Sequence, residues 1–183
     1  MSLQQAAQQH EFDPLTGVAI IHHESRFRPQ AISPNKEDYG LAQIRARYIG
    51  ECQKDRDPLR RPSPACVLEK QRLLDPNANI RRMAELIAYH RGLCRRKVGS
   101  ADTSRWLASY QGRNDVRNQR WCMPAKGTYS VLAYRQRLLR ELVKAGQLDA
   151  SELTSPARAG PQKPSAARPR SHGKRAAIEA PPN

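Results

Sequence analysis

Apolar positions along the chain recur mainly at three- and four-residue spacing, in blocks bounded by proline, glycine and capping residues. Leu15, Val18, Ala19 and Ile21 make one such stripe. Asp13 is placed to cap it and Pro14 suits a first turn, so a helix is predicted over Pro14–Ser25, limited beyond by Pro29. Residues 30–40 carry Ser, Pro, Asn and Gly and read as a loop or short hairpin. A short helix is expected from about Gly40 to Cys52, and the prolines of 55–66 predict a loop. Asp75-Pro76 opens a long helical pattern with Ile80, Met83, Ala84, Ile87 and Leu93 along one side. Ser104–Tyr110 reads as another short helix ending near Gly112. Tyr129–Ala145 reads as a last helix, with Leu132, Leu138, Leu139, Leu142 and Val143 inside and Gly146 as its stop. Strand signals are weak throughout.

Composition changes after about Ser151. The segment to Asn183 is rich in Pro, Ala, Arg, Lys and Ser and holds almost no large apolar residue, which predicts a disordered basic tail. The chain therefore divides into an N-terminal lead-in (1–11), one mainly helical domain (12–150) and the tail (151–183). With 183 residues, 38% of them hydrophobic and only 5% aromatic, the core has to be built largely from Leu, Ile, Val and Ala.

Lys and Arg number 32 against 17 Asp and Glu, a formal charge of +15. That balance predicts attraction to a polyanion, whether nucleic acid, anionic lipid or a bacterial envelope. No zinc-finger spacing, RRM-like aromatic run or helix-turn-helix supports nucleic acid as the partner. No stretch approaches the roughly twenty apolar residues of a membrane span. The N-terminal residues have neither a basic n-region nor an apolar h-region, so they do not read as a secretory signal. An envelope location then calls for a mature form with a new start Met, or another export route.

Cys52, Cys66, Cys94 and Cys122 form no CxxC pair and no zinc spacing. The preferred pairing is Cys52–Cys66, closing a Pro- and Arg-rich loop, with Cys94–Cys122 tying a helix to the loop after Trp121. Two disulfides would indicate an oxidising compartment. Four unpaired core thiols weigh about equally.

The chemistry centres on His22 to Ile44. Glu24 follows Ala19-Ile20-Ile21, and a carboxyl shielded by apolar neighbours has its charged form disfavoured. A raised acid can donate a proton near neutral pH, as a general acid for glycosidic cleavage must. An isolated Glu at a helix end is more often merely solvated, so the surrounding residues decide. Glu24-Ser25-Arg26-Phe27-Arg28-Pro29-Gln30-Ala31 resembles the Glu-Ser-x-Phe-x-Pro-x-Ala motif of soluble-lytic-transglycosylase (SLT) type proteins in the lysozyme-like superfamily. Gly40-Leu41-Ala42-Gln43 resembles their Gly-Leu-Met-Gln, with Ala in place of Met. Ala108-Ser109-Tyr110-Gln111-Gly112 resembles their Ala-Tyr-Asn, with Gln in place of Asn. Asp13-Pro14 and Asp75-Pro76 with Asn79-Ile80 fit in order, so the resemblance spans roughly residues 12–145.

The resemblance implies a mainly α, α+β lysozyme-like fold, with a helical lobe and a short loop or hairpin beside the catalytic helix. It implies cleavage of the β-1,4 bond between N-acetylmuramic acid and N-acetylglucosamine, with peptidoglycan strands as partner and a periplasmic or extracellular setting. An envelope-spanning secretion, conjugation or phage machine is a further partner it implies. By that analogy Glu24 protonates the leaving oxygen, then acts as base on the muramic C6 hydroxyl to close a 1,6-anhydro ring. Ser25, Tyr39, Gln43, Tyr110 and Gln111 would position the acid or the sugar. No cofactor or metal is required.

Asp38 has two readings of equal weight. Asp38-Tyr39-Gly40 also resembles animal-type lysozymes, where an Asp here is a second carboxylate across the cleft and hydrolysis results. Equally, an Asp before Tyr-Gly is explained by turn chemistry alone. His10, His22, His23, His90 and His172 suggest no site, Trp106 and Trp121 read as core, and the Arg pairs read as solvated surface. A non-catalytic glycan-binding scaffold of the same fold is kept open by the departures at Ala42 and Gln111, while the presence of Glu24 counts against it.

Overall fold

Asp13 fixes the start of the helix that matters most. In a computed structural model, which describes residues 1–55, 62–149 and 151, its carboxylate accepts from the backbone N–H of Leu15 and Thr16 and from the Thr16 hydroxyl. Arg135 Nε reaches the same carboxylate at 2.8 Å, with both side chains largely shielded from solvent. One residue thus caps a helix and anchors another 122 positions away.

Six helices form among the described residues: α1 (Leu3–Gln9), α2 (Pro14–Ser25), α3 (Pro64–Arg72), α4 (Pro76–Val98), α5 (Thr103–Tyr110) and α6 (Lys126–Lys144). Asp75 caps α4 through Ala78 N–H, and Asp102 caps α5 through Arg105 N–H. Helix α2 packs on α6, α4 on α5, and α1 lies against both α2 and α4. The core between them is Ala19, Ile20, Met83, Ala84, Ile87, Leu107 and Val131, each nearly or fully inaccessible. Residues 1–11, read from sequence as a lead-in, are mostly helix α1, which buries Ala6 and Ala7 in that core.

Two expectations are corrected. The helix expected over Gly40–Cys52 is instead an antiparallel hairpin, β1 (Asp38–Tyr39) with β2 (Ile44–Arg45), followed by two short 3-10 turns at Ala46–Tyr48 and Gly50–Gln53. Gly40 (φ +76°) and Gln43 (φ +46°) are left-handed, which breaks any helix there. The loop expected over 55–66 ends early, because Pro64 is the first residue of α3 and Ser63 caps it through Cys66 N–H. The remainder of that loop, 56–61, and the tail from 152 lie outside the described residues.

The hairpin is held from below by Asn79, which is fully buried on α4. Its Oδ1 accepts from Ala42 N–H at 2.8 Å, while Nδ2 donates to the carbonyls of Tyr39 (2.9 Å) and Leu73 (2.7 Å). Gly40 is packed so closely on the Leu73 carbonyl and the Asn79 amide that a Cβ has no room. Disulfides join Cys52 to Cys66 and Cys94 to Cys122, the pairing preferred from sequence. The first ties the second 3-10 turn to α3; the second ties α4 to the loop before α6. Among the described residues no helix is long and apolar enough to cross a membrane.

Candidate active site

Helix α2 ends abruptly. Arg26 (φ 55°, ψ 42°) takes the left-handed cap and Phe27 (φ 62°) stays in that region, a costly pair for residues with a Cβ. Glu24 is therefore held in the last turn of α2. It faces a cleft of about 950 Å³, also lined by the hairpin and its 3-10 turns, α4, and the end of α5.

Burial pushes the Glu24 carboxyl up, and the negative charge of Asp38 pushes it further, to about 7. The carbonyl end of α2 acts in the same sense, since a helix C-terminus disfavours an anion. Asp38 lies on β1, lines the same cleft, and is gripped by Arg45 directly across the hairpin. Arg45 Nε donates to Oδ1 at 2.9 Å and Nη2 to Oδ2 at 3.3 Å. Glu37 shares that guanidinium at 3.6 Å and also meets Arg47 at 3.5 Å.

Five of the seven residues singled out from sequence line the cleft: Glu24, Asp38, Gln43, Tyr110 and Gln111. The Tyr110 hydroxyl donates to the Ala42 carbonyl at 3.2 Å, and burial, then the Glu24 charge, hold its phenol well above the ordinary range. Gln43 donates to the carbonyls of Ala31 and Gly40, closing the turn beside the acid. Gln111 Oε1 accepts from Thr128 Oγ1 at 2.9 Å, tying the end of α5 to α6.

Ser25 and Tyr39 are not brought to the cleft. The buried Ser25 hydroxyl donates back to the Ile21 carbonyl one turn earlier. Tyr39 is buried and donates its hydroxyl to the Lys36 carbonyl. Neighbouring strand residues point to opposite faces, so a hairpin that presents Asp38 turns Tyr39 away.

The cleft holds residues that the sequence reading passed over. Arg82, Glu85, Leu86, Tyr89 and His90 lie along one face of α4 at helical spacing. His23 and Arg45 also line the cleft. So do Tyr48, Arg113 and Asn114. The α4 series was available in the sequence, because the polar face of a helix whose other face is apolar repeats with the same period. Burial pushes His90 down to about 4, so it is neutral at physiological pH. Among the described residues no group of three or more His, Cys, Asp or Glu side chains could hold a metal ion.

A partly desolvated acid raised to about 7, in one cleft with an ion-paired carboxylate on a two-stranded hairpin, suits acid-assisted cleavage of a glycosidic bond. No curated protein and no solved structure matches the chain significantly. The family profile "Transglycosylase SLT domain" matches residues 1–128, more than two thirds of the sequence, and covers every cleft residue named above. The chain belongs to the SLT transglycosylase family, whose members cleave glycosidic bonds.

Proposed function

We propose that the protein is a peptidoglycan lytic transglycosylase, cleaving the β-1,4 bond between N-acetylmuramic acid and N-acetylglucosamine with Glu24 as both acid and base. The observation that carries this reading is Glu24 itself, half-buried in the cleft and pushed up to about 7, so that it can hold a proton to give as pH approaches neutrality. Glu24 protonates the glycosidic oxygen as the bond to the muramic C1 breaks. The resulting carboxylate then removes the proton from the C6 hydroxyl, which closes on C1 to give a 1,6-anhydro end. Tyr110 and Gln43 brace the loop and helix end around the acid. The whole cycle needs side chains alone.

Arg45 supports this outcome over hydrolysis. A carboxylate whose two oxygens each accept from a guanidinium is a weaker nucleophile, because those charge-assisted bonds stabilise its anion. Asp38 is then an electrostatic partner that raises Glu24 and offsets positive charge at C1. A lysozyme-type hydrolase is the second reading, favoured by the presence of Asp38 in the same cleft. The two disulfides and the wall substrate together suit an oxidising envelope compartment.

Mass spectrometry of fragments released from purified peptidoglycan tests the proposal. Anhydro ends, lighter by one water than reducing ends, are expected. Reducing ends would transfer the assignment to the hydrolase, and no fragments would leave a glycan-binding role.

A further inference from the structure

His90 is a half-buried, titratable cleft residue to which the mechanism above gives no task. Its surroundings determine where its proton sits. The Ser109 hydroxyl, almost fully buried, lies 2.8 Å from His90 Nδ1. Asn114 Nδ2 donates to that same hydroxyl at 2.9 Å, and Asn114 Oδ1 accepts from the Cys122 N–H at 2.9 Å. The orientation of the Asn114 amide follows, since only its oxygen can accept from a backbone N–H. Ser109 therefore receives a hydrogen bond from Asn114 and has one proton of its own to place. His90 Nδ1 is the acceptor beside it, which leaves the ring neutral with its proton on Nε2.

The relay is anchored on both sides. Cys122 is joined to Cys94, which lies one helical turn beyond His90 on α4. The His90 ring is also held edge-on by Tyr89 (5.1 Å) and Tyr110 (5.9 Å). Nε2 makes no hydrogen bond among the described residues, yet it is not sealed from solvent, and the residue lines the cleft. A donor fixed by three neighbours and left unpaired at the cleft surface is equipped to meet an acceptor on the substrate.

We infer that His90 is a substrate-binding residue whose Nε2–H donates to the carbonyl oxygen of an acetamido group on the glycan, with Ser109 and Asn114 as its positioning residues. The acceptor class follows from the donor. The cleft arginines Arg45 and Arg82 are ion-paired with Asp38 and Glu85, and His90 is uncharged, so nothing at this position draws an anion. Leu86, one turn away on the same face of α4, offers an apolar surface to an acetyl methyl. A neutral N–H beside an aliphatic side chain complements an amide better than a carboxylate or a bare hydroxyl.

This inference rests on the glycan-cleaving reading, and the test separates the two. The full-length protein, its His90→Phe and Ser109→Ala variants, and the conservative His90→Gln are titrated with tetra-N-acetylchitotetraose and with its fully de-N-acetylated counterpart. Wall digestion by the unaltered protein is assayed in parallel. His90→Phe is expected to weaken binding of the acetylated oligomer roughly tenfold, the worth of one good hydrogen bond, without changing binding of the other. His90→Gln, which keeps an N–H near the Nε2 position, recovers part of that loss. Imidazole nitrogen NMR is expected to show His90 with a bare Nδ1 in the unaltered protein and a mixture of tautomers in Ser109→Ala. Unchanged acetyl preference in His90→Phe, or a protonated Nδ1 in the unaltered protein, overturns the assignment while wall digestion continues. If the unaltered protein neither digests wall nor binds either oligomer, both readings fall together.

Discussion

Arg45 and Asp38 face each other across the hairpin, and the guanidinium takes both carboxylate oxygens, at 2.9 and 3.3 Å. The same Asp38 charge is felt by Glu24, where it adds to burial in keeping the acid protonated. Asp38 is thus held by a cation on its own sheet while it influences an acid on another element. In the Asp38→Asn variant Glu24 loses one of the two causes that raise it, and Arg45 keeps only Glu37 as a carboxylate partner. The alkaline limb of the pH–activity profile is expected to move to lower pH. Activity below about pH 6 should stay within about tenfold of the unaltered protein, because no bond to Asp38 is formed. A loss of a thousandfold or more, with reducing-end products, would mark Asp38 as a nucleophile.

Glu24→Gln should abolish cleavage, by at least about a thousandfold, since acid and base are the same group. It should also stabilise the protein, and the sign follows from linkage. The folded chain holds the Glu24 proton up to about 7, against an ordinary value of 4.5. The associated stability is fully present below the ordinary value and is lost as pH rises through about 7. The variant cannot ionise, so its advantage should be near zero at about pH 4 and on the order of 3 kcal/mol at about pH 8. Urea unfolding at the two pH values measures the difference; equal gaps would contradict the raised acid.

Asn79→Ala removes three hydrogen bonds that staple the hairpin to α4. A loss of about 3 kcal/mol or more is expected, as buried backbone groups are left unpaired. Hydrogen exchange should show the Tyr39–Ile44 turn opening before the helices do. An exchange pattern with no local opening would mean that Asn79 supports the fold globally.

Reduction should cost each disulfide differently. The Cys94–Cys122 bridge closes the longer loop, 28 residues against 14, so loop entropy favours it slightly, with both near 3–4 kcal/mol. Only the Cys94–Cys122 bridge lies beside Asn114, the residue that orients Ser109 and His90. Replacing that pair with serines should raise KM more than replacing Cys52 and Cys66, at a temperature where both variants are folded.

Helices α2, α4 and α6 were legible because each has a strong local signal: Asp13-Pro14 and Asp75-Pro76 at the starts, and Gly146 (φ 68°) at the last end. Helix α3 was hidden although Ser63-Pro64 is the same kind of start, because the prolines just before it suggested continued loop. The hairpin was misread because Leu41, Ile44 and Tyr48 sit at the i, i+3, i+7 spacing that a helix face also satisfies. The feature that decides otherwise, Asn79 reaching up to the turn, is a contact between residues about forty positions apart. Glu24 is singled out by its motif, whereas the places of Arg45 and His90 in the cleft are not legible in the sequence, because their partners, Asp38 and Ser109, become neighbours only through pairing and packing.

The family match ends at residue 128, but the helix that covers α2 runs from Lys126 to Lys144. Tyr134 of α6 stacks flat on His22 at 3.7 Å, two residues before the acid, and Arg135 holds the cap at Asp13. Helix α2, which carries Glu24, is therefore clasped at both its beginning and its end by residues outside the matched span. During synthesis the N-terminal half would emerge with Glu24 already in place in sequence but its helix uncovered. Cleaving power would then arrive with the closing segment, and a truncation at the family boundary would yield an idle, sticky fragment where a minimal enzyme was intended.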